Sequence, residues 1–263
     1  MPRTAASWQE PSLVSRVGQR VGHWWGTVRS HRLVLVPKPP GPHIRAEVIG
    51  SDDPAPADYH VWYYGAGVWK STSWLGVRTL KSVSDMWNYQ EILAGLRPTL
   101  LVEFGTAYGG SALFFASVLE GLGHPYRVLT VDTLRSRIDD QVLDHPRIEV
   151  NTASSTDPST ADRITELKDL FPGPVFAILD SDHSAAHVRA ELELITPLLA
   201  PGDYLVVEDS NLNGHPVMPD YGPGPFEAVA GYLADHPGAY LPDTAREAKF
   251  GFSFAPGGFL IRQ

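Results

Sequence analysis

The sequence predicts a doubly wound α/β fold on a mostly parallel sheet. Three observations carry this: short runs of Val, Ile and Leu, helical patterns of ten or more residues between them, and acidic residues where two of the runs stop. Continuous apolar runs read as strands buried on both faces, and their alternation with helices reads as successive βα units. Carboxylates at such strand ends gather at the carboxyl edge of the sheet, where open α/β folds bind ligands.

Residues 12–32 place Leu13, Val17, Val21, Trp24 or Trp25 and Val28 at helical spacing, with Arg16, Arg20 and Arg29 elsewhere on the surface. Gly18, Gly22 and Gly26 recur every fourth residue and weaken an isolated helix by roughly 1 kcal/mol each, so the segment needs a partner surface. That surface is the protein's own body, a second subunit in a dimer, or an anionic membrane met peripherally. Pro39 to Pro42 ends the segment, and Ser51 to Asp58 reads as a linker. The domain division is therefore 1–58 for the basic helix and linker and 59–263 for the α/β domain.

An aromatic stretch follows, Tyr59, Trp62, Tyr63, Tyr64, Trp69 and Trp74, which reads as core or as a wall for a flat or sugar-like ligand. Ser84 through Leu96 is helical and Pro98 stops it. Leu100–Phe104, Val128–Asp132 and Ile148–Val150 read as strands, with a helix from Gly110 to Leu122 and another from Pro158 to about Leu170. The strand Val175–Leu179, a helix over 184–199, the strand Tyr204–Val207 and a helix from Glu227 to Ala234 continue the alternation. Phe250–Phe254 and Phe259–Arg262, around Pro256-Gly257-Gly258, read as a closing hairpin.

The formal net charge of -9, from 21 basic and 30 acidic side chains, argues against a nucleic-acid grip resting on bulk electrostatics. Residues 1–40 nonetheless carry Arg3, Arg16, Arg20, Arg29, Arg32 and Lys38 against Glu10 alone. The absence of cysteine excludes disulfides, zinc-thiolate sites and a cysteine nucleophile. No run of eighteen apolar residues is present, and the expectation is a cytoplasmic protein, membrane-associated if residues 12–32 bind lipid.

Two clusters carry chemistry. Glu103-Phe-Gly105-Thr106-Ala-Tyr-Gly109-Gly110-Ser111 lies between the first strand and its helix, where free N–H groups and glycines admit a ligand. It is not the dinucleotide fingerprint, because position 107 is Ala rather than the second glycine that admits a pyrophosphate. Asp132 ends the second strand, where a carboxylate accepts ribose hydroxyls or caps a turn. Asp157 and Pro158 read as a helix cap, with Ser154 and Ser155 free to meet a ligand. The second cluster is Asp180-Ser-Asp182-His183 with Glu208-Asp209, which reads as a hard-cation site with a base beside it. Either Asp180 or Asp182 serves as ligand, and His215 on the following Pro/Gly loop competes with His183 as base.

Lys81-Ser-Val-Ser-Asp85-Met-Trp87-Asn-Tyr89-Gln-Glu91, the glycine loop, Ile178-Leu-Asp180-Ser-Asp182-His183-Ser184, Val206-Val-Glu208-Asp209-Ser-Asn211, Gly214-His215-Pro216 and Gly222-Pro-Gly-Pro225 together resemble the rhamnosyl O-methyltransferase and cephalosporin hydroxylase family. The resemblance covers roughly residues 59–263 and leaves residues 1–50 outside. It implies a Rossmann-like class I methyltransferase fold, seven strands with an antiparallel C-terminal strand. It also implies S-adenosylmethionine and Mg2+ as cofactors, and methyl transfer to a hydroxyl of a rhamnoside or mannoside on a glycolipid, oligosaccharide or small natural product.

By position the resemblance makes Asp180, Glu208 and Asp209 the metal ligands and His183 the general base. Glu103, Gly105, Thr106, Gly109, Ser111, Asp132, Ser154 and Ser155 become donor contacts, and Tyr64, Trp69, His215 and Tyr221 acceptor contacts. Lys81, Asp85 and Trp87 either touch the donor or pack their helix. A nicotinamide-dependent oxidoreductase conflicts with Ala107, and a noncatalytic glycan- or nucleotide-binding module has no need of His183 beside three carboxylates.

Overall fold

The computed structural model describes residues 54–263; the expectations for residues 12–32, membrane contact and a dimer arm among them, lie outside the described residues. Helix α1 spans Ala55–Ala66. It starts inside the expected linker, because Pro54 and Pro56 fall in and just before the first turn, where missing N–H groups cost nothing. A short hairpin, β1 (Ser73–Trp74) and β2 (Val77–Arg78), leads to α2 (Val83–Leu96).

The alternation then runs as expected: β3 (Leu100–Phe104), α3 (Gly110–Leu122), β4 (Arg127–Asp132), the short α4 (Asp140–Leu143) and β5 (Ile148–Thr152). After these come α5 (Pro158–Leu170), β6 (Val175–Leu179), α6 (Ala185–Ile195) and β7 (Tyr204–Val207). Helix α7 (Pro225–Asp235), β8 (Tyr240–Pro242), α8 (Thr244–Ala248) and β9 (Phe259–Arg262) complete the chain. The expected helix over 184–199 stops at Ile195 and passes into a 3-10 turn, Thr196–Leu198, since Pro197 cannot continue an α-helix.

One seven-stranded sheet has the order β5-β4-β3-β6-β7-β9-β8. β3 to β7 are mutually parallel, and β9 runs antiparallel to both β7 and β8. Helices cover both faces. Tyr89 and Leu93 of α2 and Phe115 and Leu119 of α3 pack with Leu101, Val128, Phe176 and Val206 on one side. On the other, Ile164 and Leu167 of α5, Val188 and Leu192 of α6, and Val229 and Tyr232 of α7 pack with Val102, Leu129, Leu179 and Leu205. This is the class I methyltransferase fold, and its strand order reverses between β3 and β6, which places a ligand crevice there.

The hairpin predicted for Phe250–Phe254 does not form; β9 instead pairs with Tyr240–Pro242. Two local forces explain the difference. The buried Asp85 carboxylate accepts hydrogen bonds from Ser253 Oγ (2.7 Å) and Phe254 N (2.8 Å), taking the backbone group that a strand would use. Phe254 then packs among His60, Tyr63, Tyr64 and Trp69, so the segment serves as a seat for α1. Burial pushes the Asp85 carboxyl up to about 7, against the stabilising bonds from Phe254 and Ser253.

Gly105 controls the reversal point. Its φ is +96°, and a Cβ there would lie 1.9 Å from the carbonyl oxygen of Asp180. The glycine permits close approach of the β3 and β6 ends, a constraint additional to the ligand approach expected of it. We predict that Gly105→Ala lowers the unfolding free energy by about 3 kcal/mol or more, measured by chemical denaturation. A loss below about 1 kcal/mol would mean that these strand ends are free to separate.

A second prediction concerns His60, 4% exposed, whose Nε2 lies 2.9 Å from Asn211 Nδ2. Burial lowers its pKa from 6.5 to about 4, so the neutral ring accepts from the Asn211 amide. The folded ring resists protonation more than the unfolded one, so its contribution is full above pH 6.5 and is lost as the pH falls toward 4. The stability difference between the native chain and His60→Gln should shrink by about 3 kcal/mol over that window. Parallel stability curves for the two chains would contradict this.

Candidate functional site

β6 and β7 are adjacent and in register, Leu179 opposite Val207, so the residues that follow them emerge side by side. Asp180 N donates to Phe104 O (2.8 Å) and Glu208 N to Leu179 O (3.0 Å), which fixes both residues at the sheet edge. Asp209 has a φ of +53°, a left-handed conformation that Asp tolerates better than most side chains, at the turn leaving β7. His183 stands in the loop before α6, with Nε2 3.1 Å from Asp209 Oδ2. One ligand atom from each of Asp180, His183 and Asp209 falls within 4.8 Å of the others.

Asp182 and Glu208 are placed differently. Asp182 is exposed and its Oδ1 accepts from Ser184 N (2.8 Å), a turn-fixing role ahead of α6. Asp180 is thus the member of the pair that joins the cluster. Glu208, only 6% exposed, faces inward and accepts from Lys81 Nζ and from the Tyr89 hydroxyl. Lys81 Nζ also reaches Asp180, so one ammonium joins two of the three carboxylates.

The electrostatics follow from crowding carboxylates in a place poor in water. Burial raises Asp180 and Asp209 above the usual carboxylate range, opposed by Lys81 at the first and His183 at the second. Burial likewise pushes Glu208 up to about 7 despite Lys81. Burial disfavours charge on His183, but Asp209, Asp180 and Glu208 outweigh it and hold the pKa above the ordinary imidazole value. Two carboxylates ringed by further acids suit a hard divalent cation, with the imidazole beside them placed to move a proton.

Beside the cluster, a cavity of about 420 Å³ opens at the ends of β3, β4, β5 and β6. Gly105, Asp132, Ser154, Ser155 and Asp180 line it, as do Arg137 and His187. Asp132 is preoriented: Oδ2 accepts from Thr106 N (3.1 Å) and Ala107 N (2.9 Å), and Oδ1 from Leu134 N (2.8 Å). Thr106 and Ser111 line a narrow adjoining crevice with Lys81, whereas Glu103 and Gly109 line neither space. Glu103 is fully buried and accepts from Thr130 Oγ1 (2.7 Å), while Thr130 Oγ1 is itself 2.7 Å from Thr106 Oγ1, so it braces the loop from below.

Sequence reasoning did not single out His187. Its Nε2 is 2.9 Å from Ser155 Oγ and 3.4 Å from Glu191, and the spacing of His187 and Glu191 on one helix face was the available signal. Asp157 caps α5 as expected, through Ser159 N (2.8 Å).

Two phenols, Tyr64 and Tyr221, lie near enough to Asp209 to feel its charge. Burial pushes Tyr64 up to about 12, with Asp209 and Tyr221 adding to the effect, and Tyr221 is raised by burial, Asp182 and Asp209. Trp69 packs on Tyr64 at 5.5 Å and edge-on to Phe254. Tyr64, Trp69 and Tyr221 thus come together beside the cluster, but Trp74 does not: its ring meets Phe114 and its Nε1 donates to Ser117 Oγ (3.1 Å). His215 is occupied, stacked 3.8 Å from the Phe226 ring with Nε2 2.9 Å from Glu227 Oε1, and so fastens the Pro/Gly loop to α7.

The chain matches the family described as Rhamnosyl O-methyltransferase/CmcI over residues 66–263. A rhamnosyl O-methyltransferase of Mycobacterium bovis (strain BCG / Pasteur 1173P2) is 54% identical over 210 residues, covering 80% of this chain and 86% of that protein. The protein of the same name from Mycobacterium leprae (strain TN) is 56% identical over 206 residues, covering 78% and 90%. Among solved structures, an apo form of CmcI is similar with a TM-score of 0.59 at 23% identity, over 73% of this chain and 76% of that one. A CmcI structure described as holding Mg and SAM gives 0.58 at 24% identity, over 74% and 77%; both likenesses speak to the fold. The chain belongs to the Rhamnosyl O-methyltransferase/CmcI family and is a methyltransferase.

Proposed function

We propose that this enzyme transfers a methyl group from S-adenosylmethionine to a hydroxyl of a rhamnosyl or closely related sugar acceptor, with a magnesium ion at the Asp180 and Asp209 carboxylates. The observation that carries the reading is the double position of Asp180, which lines the 420 Å³ cavity and belongs to the cluster with His183 and Asp209. Donor and acceptor sites sharing one residue meet the first requirement of a transfer reaction, which is proximity.

The residues fit both groups. Asp132, preoriented by three backbone N–H groups, keeps lone pairs for the vicinal hydroxyls of a ribose, and Ser154 and Ser155 supply hydroxyls further along the cavity. The oxygens of Asp180 and Asp209 are hard donors of the kind magnesium takes, with Glu208 behind them as a third carboxylate. When bound, S-adenosylmethionine supplies an electrophilic methyl group and magnesium supplies charge that acidifies a coordinated hydroxyl. Asp209, 3.1 Å from Nε2, orients the ring and stabilises the imidazolium, and His183 receives the hydroxyl proton on its other ring nitrogen, Nδ1. Tyr64, Trp69 and Tyr221 offer apolar faces with polar rims, suited to a sugar ring. The relatives' name supplies the rhamnosyl acceptor; the phenols beside Asp209 support a sugar without choosing among sugars.

Methyl transfer to a rhamnoside should stop in the presence of a chelator and return on adding magnesium; full turnover in the chelator would remove the metal from the account. His183→Ala should reduce turnover by about 100-fold or more, with S-adenosylmethionine affinity by calorimetry little altered. Asp132→Asn should do the reverse, weakening donor binding by about tenfold. Equal loss of donor binding in both variants would contradict this division of labour.

A further inference from the structure

Lys81 is 2% exposed, and its ammonium contacts both Asp180 and Glu208. A lysine so placed normally escapes by extending its stem to water. This one is held where it is. It lies between β2 and α2, and the preceding Arg78 and Thr79 press so closely on Gly110 that a Cβ there would lie 2.0 Å from Thr79 Oγ1 and 2.4 Å from Arg78 O. On the other side Tyr89 fixes the second oxygen of Glu208. Two carboxylates at one ammonium favour its charged form over a neutral amine.

Two of the three carboxylates assigned to the cation site by position therefore already have a cation. Asp180 is shared: the ammonium contacts Oδ2, while a carboxylate oxygen belongs to the group with His183 and Asp209. Building on the metal reading above, we propose that Lys81 is a positioning residue that acts as an intrinsic counter-cation, competing with the divalent ion for Asp180 and Glu208 and thereby keeping that ion weakly held and exchangeable. A charge of the same sign beside a metal lowers its affinity, and a filled carboxylate lone pair is unavailable to it. With the lysine absent, unpaired carboxylates remain in a buried setting, which is costly unless a cation or protons replace it. A divalent ion would then substitute for the ammonium.

The test is Mn2+ binding to the full chain, followed by electron paramagnetic resonance, for the native protein, Lys81→Met and Lys81→Arg. Lys81→Met should bind Mn2+ at least tenfold more tightly, and Lys81→Arg, which retains the charge, should stay near the native value. Thermal unfolding gives an independent readout: magnesium should raise the Tm of Lys81→Met far more than that of the native chain. If Lys81→Met unfolds in chelator, magnesium should refold it at concentrations that leave the native Tm unmoved.

Equal or weaker Mn2+ binding by Lys81→Met, or a Lys81→Met chain unfolded at every magnesium concentration, overturns the proposal and leaves the lysine as neutralisation alone. Mn2+ binding by the variant only would support Lys81 as competitor and reject the metal reading for the native chain. Binding by neither would reject both.

Discussion

The repulsion among carboxylates at neighbouring strand ends is the constraint around which this site is arranged. Asp180, Glu208 and Asp209 follow two parallel strands in register, so the fold brings like charges together in a region of low water access. Left alone they would take up protons or force the strands apart. Lys81 answers two of them and His183 the third. The local acidity thus creates a place where positive charge is favoured, met in the structure by the Lys81 ammonium and the His183 ring.

The fold supplies the geometry that such crowding needs. The order β5-β4-β3-β6-β7 reverses between β3 and β6, and Gly105 lets the two ends approach until backbone meets backbone. The same loop is fastened from the other side by Asp132, whose carboxylate gathers the N–H groups of Thr106 and Ala107. The cavity and the carboxylate–imidazole cluster consequently share Asp180, and their separation is fixed by strand spacing rather than by flexible loops.

Much of this was legible in the sequence, for identifiable reasons. β3, β6 and β7 are buried on both faces and read as unbroken apolar runs, and Asp157 with Pro158 announces a helix start. Phe250–Phe254 alternates like a strand, but Phe252 and Phe254 pack on the α1 aromatics while Phe250 stays exposed, and Asp85 captures the backbone N–H that pairing would require. Lys81 reads in the sequence only as a donor contact or a helix-packing residue, because its carboxylate partners lie 99 and 127 residues away and no local pattern encodes them. Glu103 heads the glycine motif by sequence but lies within β3, where its buried carboxylate accepts from Thr130 and braces the loop from below.

The central claim is that donor and cation sites adjoin through Asp180. Its most direct test is the nuclear magnetic resonance signal of S-adenosylmethionine labelled with carbon-13 at its methyl group, bound to the protein with and without Mn2+. The account predicts strong paramagnetic broadening of the methyl signal that disappears in Asp209→Asn. A sharp methyl signal with both ligands demonstrably bound would place the cation elsewhere and contradict the account.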